Sequence, residues 1–194
     1  MPDAGPFDTT AFVVGQPKRS KWRRYRGPAL TVTTVEGTEL ARVTHADDSR
    51  SLLTTSSGAF VVRIDRHIRF GQFGPVRFRF TDAAGEETGT VTARGLVKTR
   101  QLCLRTEGGR PLLLTRLGQL YREWQLTETD PEEVPAPVVL GRVTVSTIDA
   151  WIGLQQYLVE TDPALDASER RTVIASVVCL HLLRRPPGEG SAVG

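Results

Sequence analysis

Cysteine is nearly absent from this chain: Cys103 and Cys179 are the only two in 194 residues, and they follow no metal-ligand spacing. A disulfide-stapled scaffold and a cysteine-based zinc module are thereby excluded. Both cysteines sit in apolar runs and read as small buried hydrophobes, which fits a reducing cytoplasm. No apolar run reaches the ~20 residues a membrane-spanning helix needs. The stretch 173–183 has nine apolar residues in eleven, covers about 16 Å of helix, and includes His181. Residues 1–10 lack the basic start and apolar centre of a secretory signal, and they are expected to be a flexible N-terminus.

Acid is missing from one place in particular. Lys18, Arg19, Lys21, Arg23, Arg24 and Arg26 put six cations into nine residues, with Trp22 and Tyr25 among them and no carboxylate. Without them, nineteen basic residues face 22 acids, a net charge of −3. The pI of about 9.2 therefore reports a local patch on a near-neutral body, as expected of one docking site for phosphate-bearing partners. Anionic phospholipid and single-stranded nucleic acid both suit cations interleaved with aromatics, and a protein-interaction module could use the same cations. A solvated connector between strands is the plain structural alternative.

What is present is mostly strand. Residues 11–14, 30–35, 39–44 and 60–65 read as strands, with 45–50 as a polar loop. In 76–81, Val76, Phe78 and Phe80 alternate with Arg77, Arg79 and Thr81, which predicts an apolar face turned inward and a basic one turned out. Residues 82–85 turn, 87–93 return, and a third hairpin pairs 101–106 with 111–116. Residues 120–126 continue the meander, and 127–137 collect acids and prolines as an exposed loop. Two more strands follow at 138–145, a run broken at Gly141, and at 156–160.

The period then changes. Asp166 with Glu169 three residues on makes a capping-box-like start, and Arg184, Arg185, Pro186 and Pro187 supply a basic last turn and a stop. The helix between them is apolar around its whole circumference, so it must be surrounded. A closed antiparallel β-barrel can wrap it and also remove the exposed strand edges. The expected layout is a single mainly β domain over 11–185 with a disordered tail over 186–194.

The glycine-containing segment Leu140-Gly141-Arg142-Val143, the aromatic strand Tyr157-Leu158-Val159, then Leu165-Asp166 and the closing hydrophobic helix resemble the Tubby C-terminal-like superfamily. That group includes the phospholipid scramblases and the LURP-one-related proteins. The resemblance implies about twelve antiparallel strands around the C-terminal helix, and a basic surface that binds anionic phospholipid head groups at the inner face of a membrane. Residues 161–166 offer two carboxylates, Asp162 and Asp166, too few for calcium with its six to eight oxygens.

A second basic cluster comprises Arg63, Arg66, Arg69, Arg77 and Arg79. The expected ligand-binding set joins Arg77 and Arg79 to the Lys18–Arg26 patch, provided the two adjoin. His45 with Asp47 and Asp48, and Asp65 with His67, are the places where metal or acid–base chemistry could begin. Neither supplies a nucleophile, a base and an orienting group together. No catalytic residue, metal or cofactor is assigned. Gly71-Gln72-Phe73-Gly74 has the spacing of a nucleic-acid-clamping GXXG loop, but flanking strands make it a turn. His181 reads as a hydrogen-bonded core histidine, and Ser176 as bonding back to the carbonyl four residues before it.

Overall fold

The computed structural model describes residues 7–16, 30–47, 49–68, 75–95, 99–118, 122–130, 136–149 and 154–184. Twelve strands come first: β1 (Ala11–Gly15), β2 (Leu30–Thr33), β3 (Glu39–His45), β4 (Arg50–Thr55), β5 (Phe60–Ile68) and β6 (Val76–Thr81), then β7 (Glu87–Arg94), β8 (Gln101–Arg105), β9 (Pro111–Arg116), β10 (Glu123–Thr127), β11 (Val139–Asp149) and β12 (Leu154–Thr161). One helix follows, α1 (Ala167–Arg184). Each strand pairs antiparallel with its sequence neighbours, and β12 returns to β1 with Val14 opposite Tyr157, so the barrel closes.

The helix is enclosed. Every residue from 172 to 181 is buried, a stretch of almost three turns that leaves no side facing water, and α1 contacts β1, β7, β8 and β12. Around it pack the inward residues of alternating strands, among them Phe12, Phe78, Phe80, Leu102, Leu114 and Tyr157. No helix among the described residues is long and apolar enough to cross a membrane.

The start of α1 is a reciprocal capping box. The Glu169 amide donates to Asp166 Oδ1 at 2.8 Å, and the Asp166 amide donates to Glu169 Oε2 at 3.0 Å. Two otherwise orphaned donors are thus satisfied. Arg110 Nη1 donates to Glu169 Oε1 at 2.9 Å and ties the β8–β9 hairpin to the helix, while Arg171 pairs with Glu107. The Glu169 amide holds the Asp166 carboxyl below its ordinary range. Such a group contributes stability above its unfolded pKa, and that contribution is lost as pH falls through the depressed folded value. Asp166→Ala is therefore expected to cost about 1 kcal/mol at pH 7. Thermal melts should show the difference from wild type shrinking below about pH 4; a difference that persists unchanged in acid would refute the capping role.

The four hairpins at the end where α1 enters share one device. Thr34, Thr55, Asp82 and Thr106 each accept, through a side-chain oxygen, the amide four residues on, at 3.2, 2.9, 2.9 and 3.0 Å. Gly37, Gly58, Gly85 and Gly109 follow three residues after them with φ of 93°, 88°, 86° and 81°. A five-residue loop of this kind needs a left-handed residue at that position, which glycine adopts without strain.

Several sequence expectations are corrected. β4 was hidden, because its inward set of Ser51, Leu53 and Thr55 is largely polar. The loop before it shrinks to residues 46–49, since His45 and Arg50 belong to strands. β11 runs unbroken through Gly141, where a side chain is excluded by the backbone of β12: an added Cβ would lie 2.5 Å from the Glu160 carbonyl oxygen. Thr127 is a buried strand residue, not loop. Cys103 is only half-buried, on the outward side of a strand whose Leu102 and Leu104 point in. Ser176 donates to the Val173 carbonyl at 2.6 Å, three residues back instead of four. Phe7 is buried and lies 6.4 Å from Phe12 between ring centroids, and the Asp8 and Thr10 carbonyls accept from Arg170 and Thr161. The flexible N-terminus therefore does not extend through residues 7–10. Residues 1–6 and 185–194 lie outside the described residues.

Candidate functional site

Antiparallel pairing with β12 leading into α1 gives the barrel two unlike ends. At the entry end lie the four glycine hairpins, the β10–β11 connection and the start of α1, with acids at Glu36, Asp82, Glu86, Glu107, Glu128 and Asp162. At the exit end lie the other six connections and the last turn of α1. β1 ends and β2 begins at this exit end, so segment 17–29 joins the barrel there. That segment carries Lys18, Arg19, Lys21, Trp22, Arg23, Arg24, Tyr25 and Arg26, all of which lie outside the described residues, as do Arg69, Asp48 and the 71–74 turn.

Six successive strands bring an arginine to the exit end: Arg66 on β5, Arg77 on β6, Arg94 on β7, Arg100 just before β8, Arg116 on β9 and Arg122 just before β10. Backbone hydrogen bonds stitch part of this arc together. The Arg100 amide donates to the Arg94 carbonyl at 3.0 Å, and the Arg116 amide to the Arg100 carbonyl at 2.9 Å. Arg66 continues the alternation of buried Val62 and Ile64, so its stem turns toward the barrel interior, and its Nε is buried with no hydrogen-bond partner among the described residues. Arg77 and Arg94 lie on the outer side of the wall and are exposed.

Charge pairing separates this rim from the wall. Arg63 donates to Asp65 at 2.9 Å, Arg50 to the same carboxylate at 3.1 Å, and Arg79 to Glu87 at 3.1 Å. Arg142 approaches Glu123 at 3.6 Å, and Arg42 pairs with Glu39. Arg66, Arg77, Arg94 and Arg100 make no ion pair among the described residues. Their positive charge is therefore not taken up by a direct ion pair among the described residues. Part of it has a structural use, because the C-terminal end of α1 carries a partial negative charge that nearby cations stabilise.

The second basic cluster thus divides. Arg63 and Arg79 are paired on the wall, Arg66 turns inward, and Arg77 near the rim makes no ion pair among the described residues. β6 is five strands from β1 around a ring of twelve, so the wall carrying Arg77 and Arg79 stands nearly opposite the wall of β1. The expected adjoining of faces does not occur along the wall. Arg77 and the attachment of segment 17–29 share only the exit end, on opposite sides of it. Arg94, Arg100, Arg116 and Arg122 escaped sequence reading because they are isolated in the sequence, single cations on either side of two connections.

The candidate chemical centres take ordinary structural roles. His45 Nδ1 lies 2.9 Å from Ser51 Oγ. Asp47 accepts the Ser49 amide and hydroxyl at 2.9 and 2.8 Å, and the Ser49 hydroxyl leads in holding its carboxyl below the usual range. Asp65 is occupied by Arg50 and Arg63. Among the described residues no three His, Cys, Asp or Glu side chains gather as metal ligands would. Burial pushes the Cys179 thiol well up and the Cys103 thiol up, which disfavours a thiolate at either. His181 meets the Tyr157 hydroxyl at 3.4 Å in an edge-on ring contact, and that hydroxyl donates to Gln155 Oε1 at 2.6 Å.

No protein-family model, curated protein or solved structure matches this chain.

Proposed function

We propose that this protein is a non-catalytic barrel of the Tubby- and scramblase-like kind that binds anionic phospholipid head groups, peripherally, at the inner face of a membrane. One observation carries the reading. Arg66, Arg77, Arg94 and Arg100, which make no ion pair among the described residues, collect at the barrel end to which the segment bearing Lys18, Arg19, Lys21, Arg23, Arg24 and Arg26 is joined. Each cation near an anionic leaflet contributes about 1 kcal/mol, and Trp22 and Tyr25 suit the interfacial layer between water and acyl chains. The strand layout and the closing helix agree with the family resemblance, which otherwise rests on sequence pattern.

Co-sedimentation with phosphatidylglycerol-rich and with purely phosphatidylcholine vesicles tests this. Wild type is expected to pellet with the anionic vesicles only. The variant with all six cations of the segment changed to Ala should bind at least tenfold more weakly, as loss of ~1 kcal/mol per charge requires. Equal binding by the two proteins sinks the assignment. Binding of a single-stranded oligonucleotide at low salt that is lost in Trp22→Ala would replace lipid by nucleic acid as the partner, because stacking on an aromatic ring has no lipid counterpart.

A further inference from the structure

We infer that the barrel docks end-on, with its axis upright on an extended anionic bilayer and the arc of strand ends from β5 to β10 against the lipid. This rests on the membrane reading above and adds an orientation and a ligand class to it. The target is a surface of many head groups, not one head group held in a pocket.

Spacing is the first argument. Neighbouring strands lie about 4.8 Å apart, so six consecutive strand ends spread their arginines over roughly 24 Å of rim. That is the reach of several lipids side by side. A single phosphate would require cations converging on one point, and the arc diverges around a circumference. A groove of about 330 Å³, lined by Gly141, Arg142, Glu160, Thr161 and Asp162 among others, opens at the opposite end with two carboxylates in its wall. Its sign is wrong for a phosphate.

Charge placement is the second argument. Wall arginines are spent on Glu39, Asp65, Glu87 and Glu123, so a sideways approach offers little uncancelled positive charge. The entry end presents acids on every hairpin but β4–β5 and would be repelled by an anionic leaflet. The exit end carries Asp47, Glu123 and Asp149 but keeps Arg66, Arg77, Arg94 and Arg100 without an ion pair among the described residues. The three orientations therefore differ in sign as well as strength.

One strand supplies a matched test. Arg100 and Arg105 flank β8 at opposite ends of the barrel, about 17 Å apart by strand rise; both are exposed and neither is ion-paired among the described residues. Arg100→Glu and Arg105→Glu change the net charge equally. Titration with phosphatidylglycerol-rich vesicles should show binding at least fivefold weaker for Arg100→Glu and within twofold of wild type for Arg105→Glu. Arg100→Gln, milder to the fold, should lose about fivefold by itself. Circular dichroism establishes that each variant is folded.

Equal losses from the two reversals would mean attraction by net charge alone, and would overturn the orientation while leaving membrane binding intact. No loss from either would overturn the end-on arc as well. Failure of wild type to bind at all would remove the membrane reading together with the inference. Millimolar glycerol phosphate, as free head group, is expected not to displace the protein; displacement would indicate a pocket and overturn the surface.

Discussion

Val177→Asp is expected to abolish cooperative folding. Val177 is fully buried in the middle of α1, with strands on all sides and no water to reach. An unpartnered polar group in such a place costs about 2–7 kcal/mol even uncharged, and an ionised carboxylate costs far more. Against a net stability of about 5–15 kcal/mol this is decisive. Thermal melting should show either no transition or one lowered by at least ~10 °C. Leu180→Ala, which only empties volume from the same helix, should cost about 2–5 kcal/mol and keep a sharp transition. A Val177→Asp protein melting with wild type would mean that the helix does not occupy the barrel interior.

The second large effect falls on Gly141. An added Cβ would sit 2.5 Å from the Glu160 carbonyl oxygen and 3.3 Å from Thr161 Cα. Both are backbone atoms of β12, held by pairing on two sides, so they cannot yield as a flexible side chain would. Gly141→Ala is therefore expected to destabilise by about 3 kcal/mol, the upper range for overpacking, and to lower the melting temperature by roughly 6–12 °C. Gly15→Ala is the control on the other side of β12. There the nearest atom, Gln156 Cγ, is at an ordinary 3.6 Å, and the change should be neutral or raise stability by up to about 1 kcal/mol through the unfolded chain. Equal destabilisation by the two changes would show that close approach is not what Gly141 serves.

These two residues also mark how far the sequence could be read. Val177 was legible because helices declare themselves locally: the Asp166–Glu169 cap and the basic, proline-terminated end frame one apolar run. β6 and β7 were legible for a similar reason, since Phe78 and Phe80 alternate with arginines across an obvious turn. β4 was not, because Ser51 and Thr55 share its inward face and Leu52 adjoins Leu53, which blurs the alternation. A different signal marks it. Thr55-Ser56-Ser57-Gly58 repeats the Thr34, Asp82 and Thr106 turns, each a hydroxyl or carboxylate residue followed by glycine three positions later, and this spacing would have placed a strand on both sides. Gly141 looked like an interruption because a sequence shows a missing side chain but not the neighbouring strand that requires the space.

The arginine arc was beyond sequence reading for another reason. Arg94 and Arg100 flank one connection and Arg116 and Arg122 another, and none stands out among 25 basic residues. Only the closure of twelve strands, with its strict alternation of ends, puts them in one row. The dense patch around Lys18 drew attention by its composition, whereas the rim is a property of topology.

The order of elements along the chain has a consequence for synthesis on the ribosome. All twelve strands precede the helix that fills them, so the nascent chain exposes the inner faces of an entire barrel before any residue of α1 has emerged. At about 5–20 residues per second, those apolar surfaces stay uncovered for several seconds. Pairing of β1 with β12 adds a contact between the two extremes of the sheet, of the kind that forms slowly. A chain interrupted before residue 173 would carry the whole wall and none of its filling. It would be a substrate for chaperones and proteases, which makes arrival of the helix the step that commits each molecule to its fold.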